Sequence, residues 1–266
     1  MKAFTLIELL VVISIIGLLA SIVLVGLEGA TDRAQIGKSL AFTGHVRRSL
    51  GAYAVAVYNF NDGTVTDLSG NGNHGTRTGT TLVPSIPELG NALSFNGSTD
   101  YVSVPDSNSL DLTTAGTIEV WAKKDTQKNY QMYVTKGIAS ANTGYQLMDY
   151  GSTGRIVLRW GSDGNNIITD EVVPTGVWYH IVGTYDGSNL MIYLNGSLAK
   201  KVPYTTDAVA NTDPLMIGRR STATSYFFDG ILDEVRIYNE SLTLSEIQQL
   251  YAEGAARHGL VLNQQK

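Results

Sequence analysis

The sequence predicts a long N-terminal α-helix, membrane-spanning in its first half, followed by an all-β sandwich. Three observations carry this. Leu9 to Leu27 contains no charged residue, and about 20 apolar residues let a helix cross a bilayer. From about residue 54, apolar side chains alternate with polar ones in short runs separated by Gly, Asn and Asp, the period-two pattern of strands. Glycine is abundant, at 28 of 266 residues, a composition of many turns.

Four segments follow: 1–3 as a leader, 4–53 as the helix, 54–254 as the β domain and 255–266 as a flexible tail. Beyond the apolar span, Ile36, Leu40, Phe42, Val46 and Leu50 recur at spacings of three and four among charged residues, one apolar stripe on a helix that continues out of the membrane. At 1.5 Å per residue such a helix reaches about 75 Å. Lys2 is the basic residue ahead of the span, which places the N-terminus in the cytoplasm and the β domain outside. A net charge of −5 offers no basic face for nucleic acid. Cysteine is absent, so neither disulfides nor thiolate chemistry are available.

Glu8 stands at the start of the apolar segment. A carboxylate well inside a membrane helix costs roughly 2.5–3.5 kcal/mol on insertion scales, so it is either held at the interface by head groups and water or matched by a positive charge on another subunit. Ala3-Phe4-Thr5-Leu6-Ile7-Glu8-Leu9-Leu10-Val11-Val12 resembles the processing site of type IV pilins and pseudopilins. That resemblance implies cleavage between Ala3 and Phe4 by a prepilin peptidase and methylation of the new N-terminal Phe4. It also implies pairing of Glu8 with the N-terminal amine of a neighbouring subunit during assembly. The family usually has Gly before the cut; here it is Ala3, another small residue.

In the β domain, residues 54–60 read as the first strand. In 117–122, Ile118, Val120 and Ala122 share one face and Glu119 and Trp121 the other. Residues 93–95 and 101–104 flank the Asn96-Gly97 turn, and 156–160, 178–185, 215–218 and 232–238 complete the clear runs. Asn195-Gly196 between 190–194 and 198–202 is a two-residue hairpin signal. Thr243 and Glu246 form a capping box for a closing helix, with Ile247, Leu250 and Tyr251 as its apolar face and Gly254 as its stop. The stretches 67–75, 92–97, 117–121, 178–180, 190–196 and 228–238 resemble, in order, the laminin-G-like, concanavalin A-like jelly roll. This implies a two-sheet sandwich that binds sugar or protein and often holds one structural calcium.

Asp67, Ser69, Asn71 and Asn73 place a side-chain oxygen at every second residue, with Gly70 and Gly72 between them. Calcium takes six to eight oxygens, so this loop is the candidate Ca2+ site, with Asp233 as the second carboxylate if the first and last strands pair antiparallel. The alternative is an Asn/Gly turn with Asp233 capping backbone N–H groups. Tyr130, Tyr133, Trp160, Tyr204 and Tyr226 are candidate platforms for sugar stacking, while Trp121 and Trp178 match core positions of the resembled family. His180, alternating within a strand, reads as a core histidine. Catalysis is not expected. No Gly-x-Ser-x-Gly or His-Glu-x-x-His pattern occurs, and Asp233 and Glu234, adjacent on a strand, should point to opposite faces.

The expected protein is a pilin-like subunit of a type IV pilus or type II secretion-type filament. Its partners are the membrane, the prepilin peptidase and other pilin-like subunits, and its lectin-like head would bind a glycan or surface protein outside the cell. The alternatives are a monomeric membrane-anchored carbohydrate-binding module and, more remotely, a membrane-tethered glycosidase. Glu8→Ala discriminates: filament assembly should be lost while the head stays folded, and normal filaments without that carboxylate would contradict the assembly role.

Overall fold

Alternating side chains after Ala54 resolve into two stacked antiparallel sheets. The computed structural model describes residues 50–86, 90–137, 143–161, 166–221 and 225–260. The expected leader, the membrane-spanning half of the helix, Ala3, Phe4 and Glu8 lie outside the described residues, and of the helix expected over 4–53 only residues 50–53 are described, and they are helical. Among the described residues no helix is long and apolar enough to cross a membrane.

The strands, in chain order, are β1 (Ala54–Tyr58), β2 (Thr76–Thr78), β3 (Thr81–Ile86), β4 (Gly90–Asn96), β5 (Tyr101–Val104), β6 (Gly116–Lys124), β7 (Met132–Lys136) and β8 (Tyr145–Tyr150). Then follow β9 (Arg155–Trp160), β10 (Asn166–Val172), β11 (Trp178–Tyr185), β12 (Asn189–Leu194), β13 (Ser197–Pro203), β14 (Leu215–Ile217), β15 (Asp229–Tyr238) and the helix α1 (Leu244–Arg257). One sheet runs β13-β12-β11-β6-β15-β4-β3 with β1 also on β15, and the other β10-β9-β8-β7-β14-β5-β2. The Asn96-Gly97 turn therefore passes the chain from one sheet to the other. Asn195-Gly196 makes the expected hairpin, with both residues at positive φ, 49° and 76°, as a type I′ turn needs.

β15 organises the eight-stranded sheet. Along one edge it pairs with β6; along the other it meets β4 through Asp229–Leu232 and β1 through Val235–Tyr238. First and last strands are thus antiparallel neighbours, with Tyr58 opposite Val235. A bulge interrupts β15 between Asp233 and Arg236, where Glu234 adopts φ 48°.

β6 alternates as expected. Ile118, Val120 and Ala122 enter the core between the sheets, where burying a chain the size of Ile118 or Val120 contributes about 1.5–3 kcal/mol. Trp121 belongs to a separate cluster with Ala92, Trp178 and Ala255 on the opposite face, sealed by α1. The capping box is present: Glu246 N–H donates to Thr243 Oγ1 and Thr243 N–H to Glu246 Oε2. Gly254, however, does not stop the helix, which continues to Arg257. A Cβ at Gly254 would lie 2.3 Å from Trp121 Nε1, so the glycine serves close approach of the helix to the indole. Residues 255–260 are accordingly no frayed tail: Ala255 and His258 are buried, and Leu260 packs on the same cluster.

His258 lies between the rings of Trp121 and Trp178, at centroid distances of 4.4 and 4.2 Å, and its Nε2 faces Asp233 Oδ2 at 3.7 Å. Burial, reinforced by Glu234, pushes the Asp233 carboxyl from 3.8 up to about 8. Burial, with Arg257, His180 and Arg236 adding, pushes His258 from 6.5 down to about 3. The folded pair therefore holds one proton, on the carboxyl, across that range. Between 3.8 and 6.5 the unfolded chain also holds one, so the pair leaves stability flat there. Above 6.5 the unfolded chain holds none, and stability falls as the pH rises toward 8; below 3.8 it holds two, and stability falls as the pH drops toward 3. Urea unfolding should accordingly show a lower midpoint at about pH 8 than at about pH 5.5, with Asp233→Asn abolishing or reversing the difference, because His258, protonated below 6.5 only in the unfolded chain, then titrates alone. An undiminished difference in that variant would assign it to other groups.

Candidate functional site

The loop 67–73 is assembled as a unit, but around a strand edge. Asp67 Oδ1 accepts from Val57 N–H at 3.0 Å and Ser69 N–H at 2.9 Å. Its Oδ2 accepts from Ser69 Oγ at 2.8 Å and Asn73 N–H at 3.0 Å. Asn73 Nδ2 donates to Val55 O at 2.7 Å and Asn71 Nδ2 to Ala54 O at 3.0 Å. Leu68 N–H closes the contact on Val57 O at 2.9 Å. These groups satisfy β1 backbone that would otherwise remain an open strand edge.

Asp233 does not join them. Its Oδ1 accepts the Glu234 N–H at 2.7 Å, and its other oxygen faces His258. Among the described residues no hydrogen bond or ion pair links it to the loop, and no group of three or more histidines and acids poised for a metal occurs. The expected calcium set is thus divided. The loop's carboxylate is taken up by four protein donors, and its Asn amide nitrogens are turned onto backbone carbonyls. As folded, the loop's carboxylate and amide nitrogens serve the β1 edge.

The other acid and histidine candidates are engaged in the sheet. His180 Nε2 lies 3.1 Å from Glu119 Oε1, both fully buried. Burial alone would raise the Glu119 carboxyl, but Arg236, with His180 and Tyr238, holds it below its ordinary range. The bulge overturns the alternation expected at Asp233 and Glu234: both acids meet side chains of the C-terminal segment, Asp233 facing His258 and Glu234 paired with Arg257 as well as Arg236.

The five candidate aromatics divide by burial. Tyr133, Trp160 and Tyr204 are core residues, with the Tyr204 hydroxyl donating to Trp160 O. Tyr130 and Tyr226 come together, ring centroids 5.5 Å apart at 73°. They rim a pocket of about 200 Å³ whose remaining lining is Met132, Met148, Arg159 and Arg220. Its floor is the outer face of the seven-stranded sheet, where Met132 on β7 stands opposite Met148 on β8 and both pack with Val157.

Both tyrosines occupy left-handed backbone, φ 58° and 64°, a conformation costing about 1–2 kcal/mol for a residue with a Cβ. Local anchors hold them there. Tyr130 N–H donates to Gly151 O at 3.3 Å and Met132 N–H to Tyr226 O at 3.1 Å. Between them the buried Gln131 side chain donates to Thr126 O and accepts from Asp229 N–H, each at 2.8 Å. Strained backbone maintained in this way clusters at binding sites. The Arg220 guanidinium carbon lies 5.9 Å from the Tyr226 ring centroid, and the neighbouring Arg219 sits 4.0 Å over Tyr101. The lining contains two guanidinium groups and no carboxylate. Sequence reasoning found the two tyrosines but missed the methionines and arginines, since nothing local marks them as neighbours.

Comparison with known proteins agrees with the two-sheet fold. The family model described as the concanavalin A-like lectin/glucanases superfamily matches residues 96–248, and that of the prokaryotic N-terminal methylation motif matches residues 1–24. No curated protein matches the chain. Among solved structures, domain 4 of an extracellular GH43 arabinanase from Geobacillus stearothermophilus, in complex with arabinotriose, is similar at TM-score 0.62 and 22% identity, over 75% of this chain and 98% of that one. The binding domain of Paraclostridial Mosquitocidal Protein 1 is similar at TM-score 0.61 and 20% identity, over 77% and 53%. A structure of botulinum neurotoxin type C, whose cell entry depends on two ganglioside molecules, is similar at TM-score 0.61 and 13% identity, over 77% and 52%. The chain thus spans about half the length of these toxin structures.

The loop 67–73 yields a stability prediction. Asp67→Ala leaves several β1 and loop donors without an acceptor and should cost about 2–4 kcal/mol. The loss should be the same in calcium and in chelator, and the parent protein's melting temperature should not depend on calcium. A calcium-dependent rise that Asp67→Ala abolishes would restore the metal site.

Proposed function

The chain belongs to the concanavalin A-like lectin and glucanase superfamily and carries the prokaryotic N-terminal methylation motif, and on that premise we propose that it is a pilin-like subunit with a sugar-binding head. In this reading the prepilin peptidase removes residues 1–3, the apolar helix anchors the subunit in the membrane, and Glu8 guides its packing with other pilin-like subunits. The head stands outside the cell and serves adhesion.

The observation that carries the binding role is the pair Tyr130 and Tyr226. Two aromatic rings held nearly perpendicular, in backbone that is costly to maintain, rim a concave pocket. Aromatic faces stack on the C–H faces of sugar rings, excluding water from both. The pocket is smaller than the roughly 300–1,000 Å³ of drug-sized sites, which favours one sugar ring or a chain end over an extended polysaccharide. Its lining has no carboxylate, whereas glycoside hydrolysis canonically uses two flanking the bond; this supports binding over turnover. The arabinanase domain solved with arabinotriose gives a sugar-complexed example of the fold.

The test is retention of the full chain, in a detergent without a sugar head group, on a panel of immobilised glycans. Tyr226→Ala and Tyr130→Ala should each reduce binding about five- to thirtyfold, a loss of ring stacking worth about 1–2 kcal/mol, in protein that stays folded. Tyr226→Ala should also lower the melting temperature, because it uncovers the Met132 and Met148 cluster and alanine keeps the Cβ that makes left-handed backbone costly. Equal binding by parent and both variants would remove the pocket from the function, and glycan cleavage by the protein would make it an enzyme.

A further inference from the structure

The sugar-binding reading leaves the class of sugar open, and the cations of the pocket narrow it. In this acidic domain the cations that the sheets bury meet carboxylates: Lys124 pairs with Asp149, Lys136 with Asp106 and Asp111, and Arg236 with Glu119 and Glu234. Arg220 departs from this pattern. Half-buried at the pocket wall, it has the Tyr226 ring beside it and no carboxylate partner among the described residues. Its Nε is shielded from solvent and has no hydrogen-bond partner there. A guanidinium donor held out of water without an acceptor is costly. The group that relieves it most strongly is an anion that takes two of its N–H donors at once. Arg159 also lines the pocket, and the proposal rests on Arg220 alone.

We propose that the pocket selects a sugar ring bearing a negative charge, with Arg220 gripping the charged substituent while Tyr130 and Tyr226 contact the ring. The inference rests on the sugar-binding role assigned to these tyrosines. The shared chemistry is one anionic group on a single ring, a carboxylate as in a uronic acid or a sulfate ester. A ring with the charge at one corner suits the arrangement: Tyr130 and Tyr226, in edge contact with each other, form one aromatic rim for it, and the arginine stands at the wall. The preference is an electrostatic addition to stacking, so the two contributions are separable.

Titration of the full chain, in a zwitterionic detergent without a sugar head group, uses matched methyl glycosides in the gluco and galacto series with a hydroxyl, a carboxylate or a sulfate at carbon 6. At least one charged form should bind about ten- to hundredfold more tightly than its neutral counterpart, as expected for hydrogen bonds to a charged group. The carboxylate and sulfate arms identify which anion is used. Raising the salt should weaken the charged ligand and leave the neutral one nearly unchanged. Arg220→Gln should abolish the preference, weakening the charged ring by about ten- to hundredfold more than the neutral one, and Arg220→Lys should retain part of it. Neutral and charged rings binding equally to the parent protein would overturn the proposal while leaving the sugar-binding reading intact; no binding of any ring would overturn both. A charge preference that survives Arg220→Gln in folded protein would also overturn it.

Discussion

An apolar face that the sandwich core does not cover governs this domain. The seven-stranded sheet sends Tyr133, Val134, Leu147 and Leu158 inward, yet its outer face also carries Met132, Met148 and Val157, all buried. Those side chains need cover. It comes from Tyr226, which packs against this cluster with the Tyr130 ring in edge contact beside it. The backbone reaches these positions only through left-handed residues, and the hydrogen bonds of Gln131, Met132 and Gly151 hold them in place. The cover closes Met132 and Met148 off from solvent, and the pocket lies against it.

The eight-stranded sheet meets the same demand differently. Its outward Trp121 and Trp178 lie beneath α1, with Gly254 admitting the helix backbone against one indole and Tyr251 and His258 completing the stack. That face is closed, and its charged groups pair with one another through Glu119, Glu234, Arg236 and Arg257. The two outer faces thus divide the labour: one is sealed by a helix, the other carries a concave aromatic pocket with arginines in its wall. The same contrast explains the loop at 67–73. It too is a cover, laid along the open edge of β1 by Asp67 and its neighbours.

What was legible in the sequence was local. Alternation placed Ile118, Val120 and Ala122 against Trp121, the Asn195-Gly196 pair placed a hairpin, and Thr243 with Glu246 placed the start of α1. β7 and β8 were not legible because they are buried on both faces, so their side chains do not alternate in polarity. Lys136 is tolerated inside β7 only because Asp106 and Asp111, distant in the chain, surround its ammonium group. β2, Thr76–Thr78, is fully exposed and has no apolar residue to announce it. Residue type alone also cannot separate two uses of one pattern. Oxygens at alternate positions read equally as a calcium loop or as caps for a strand edge, and Gly254 reads equally as a helix stop or as a packing contact. At the candidate site, Tyr130 and Tyr226 were identified while Arg220 was not, since its role depends on which ring the fold sets beside it.

The central claim is that a sugar occupies the space above Met132 and Met148. The chain has five methionines, and methyl-13C-methionine labelling of the full chain reports on that floor directly. On adding an oligosaccharide that the protein retains, the Met132 and Met148 methyl signals should shift together and saturably, while that of Met191 on β12 of the other sheet stays in place. Saturable binding that leaves the Met132 and Met148 signals unmoved would contradict the account.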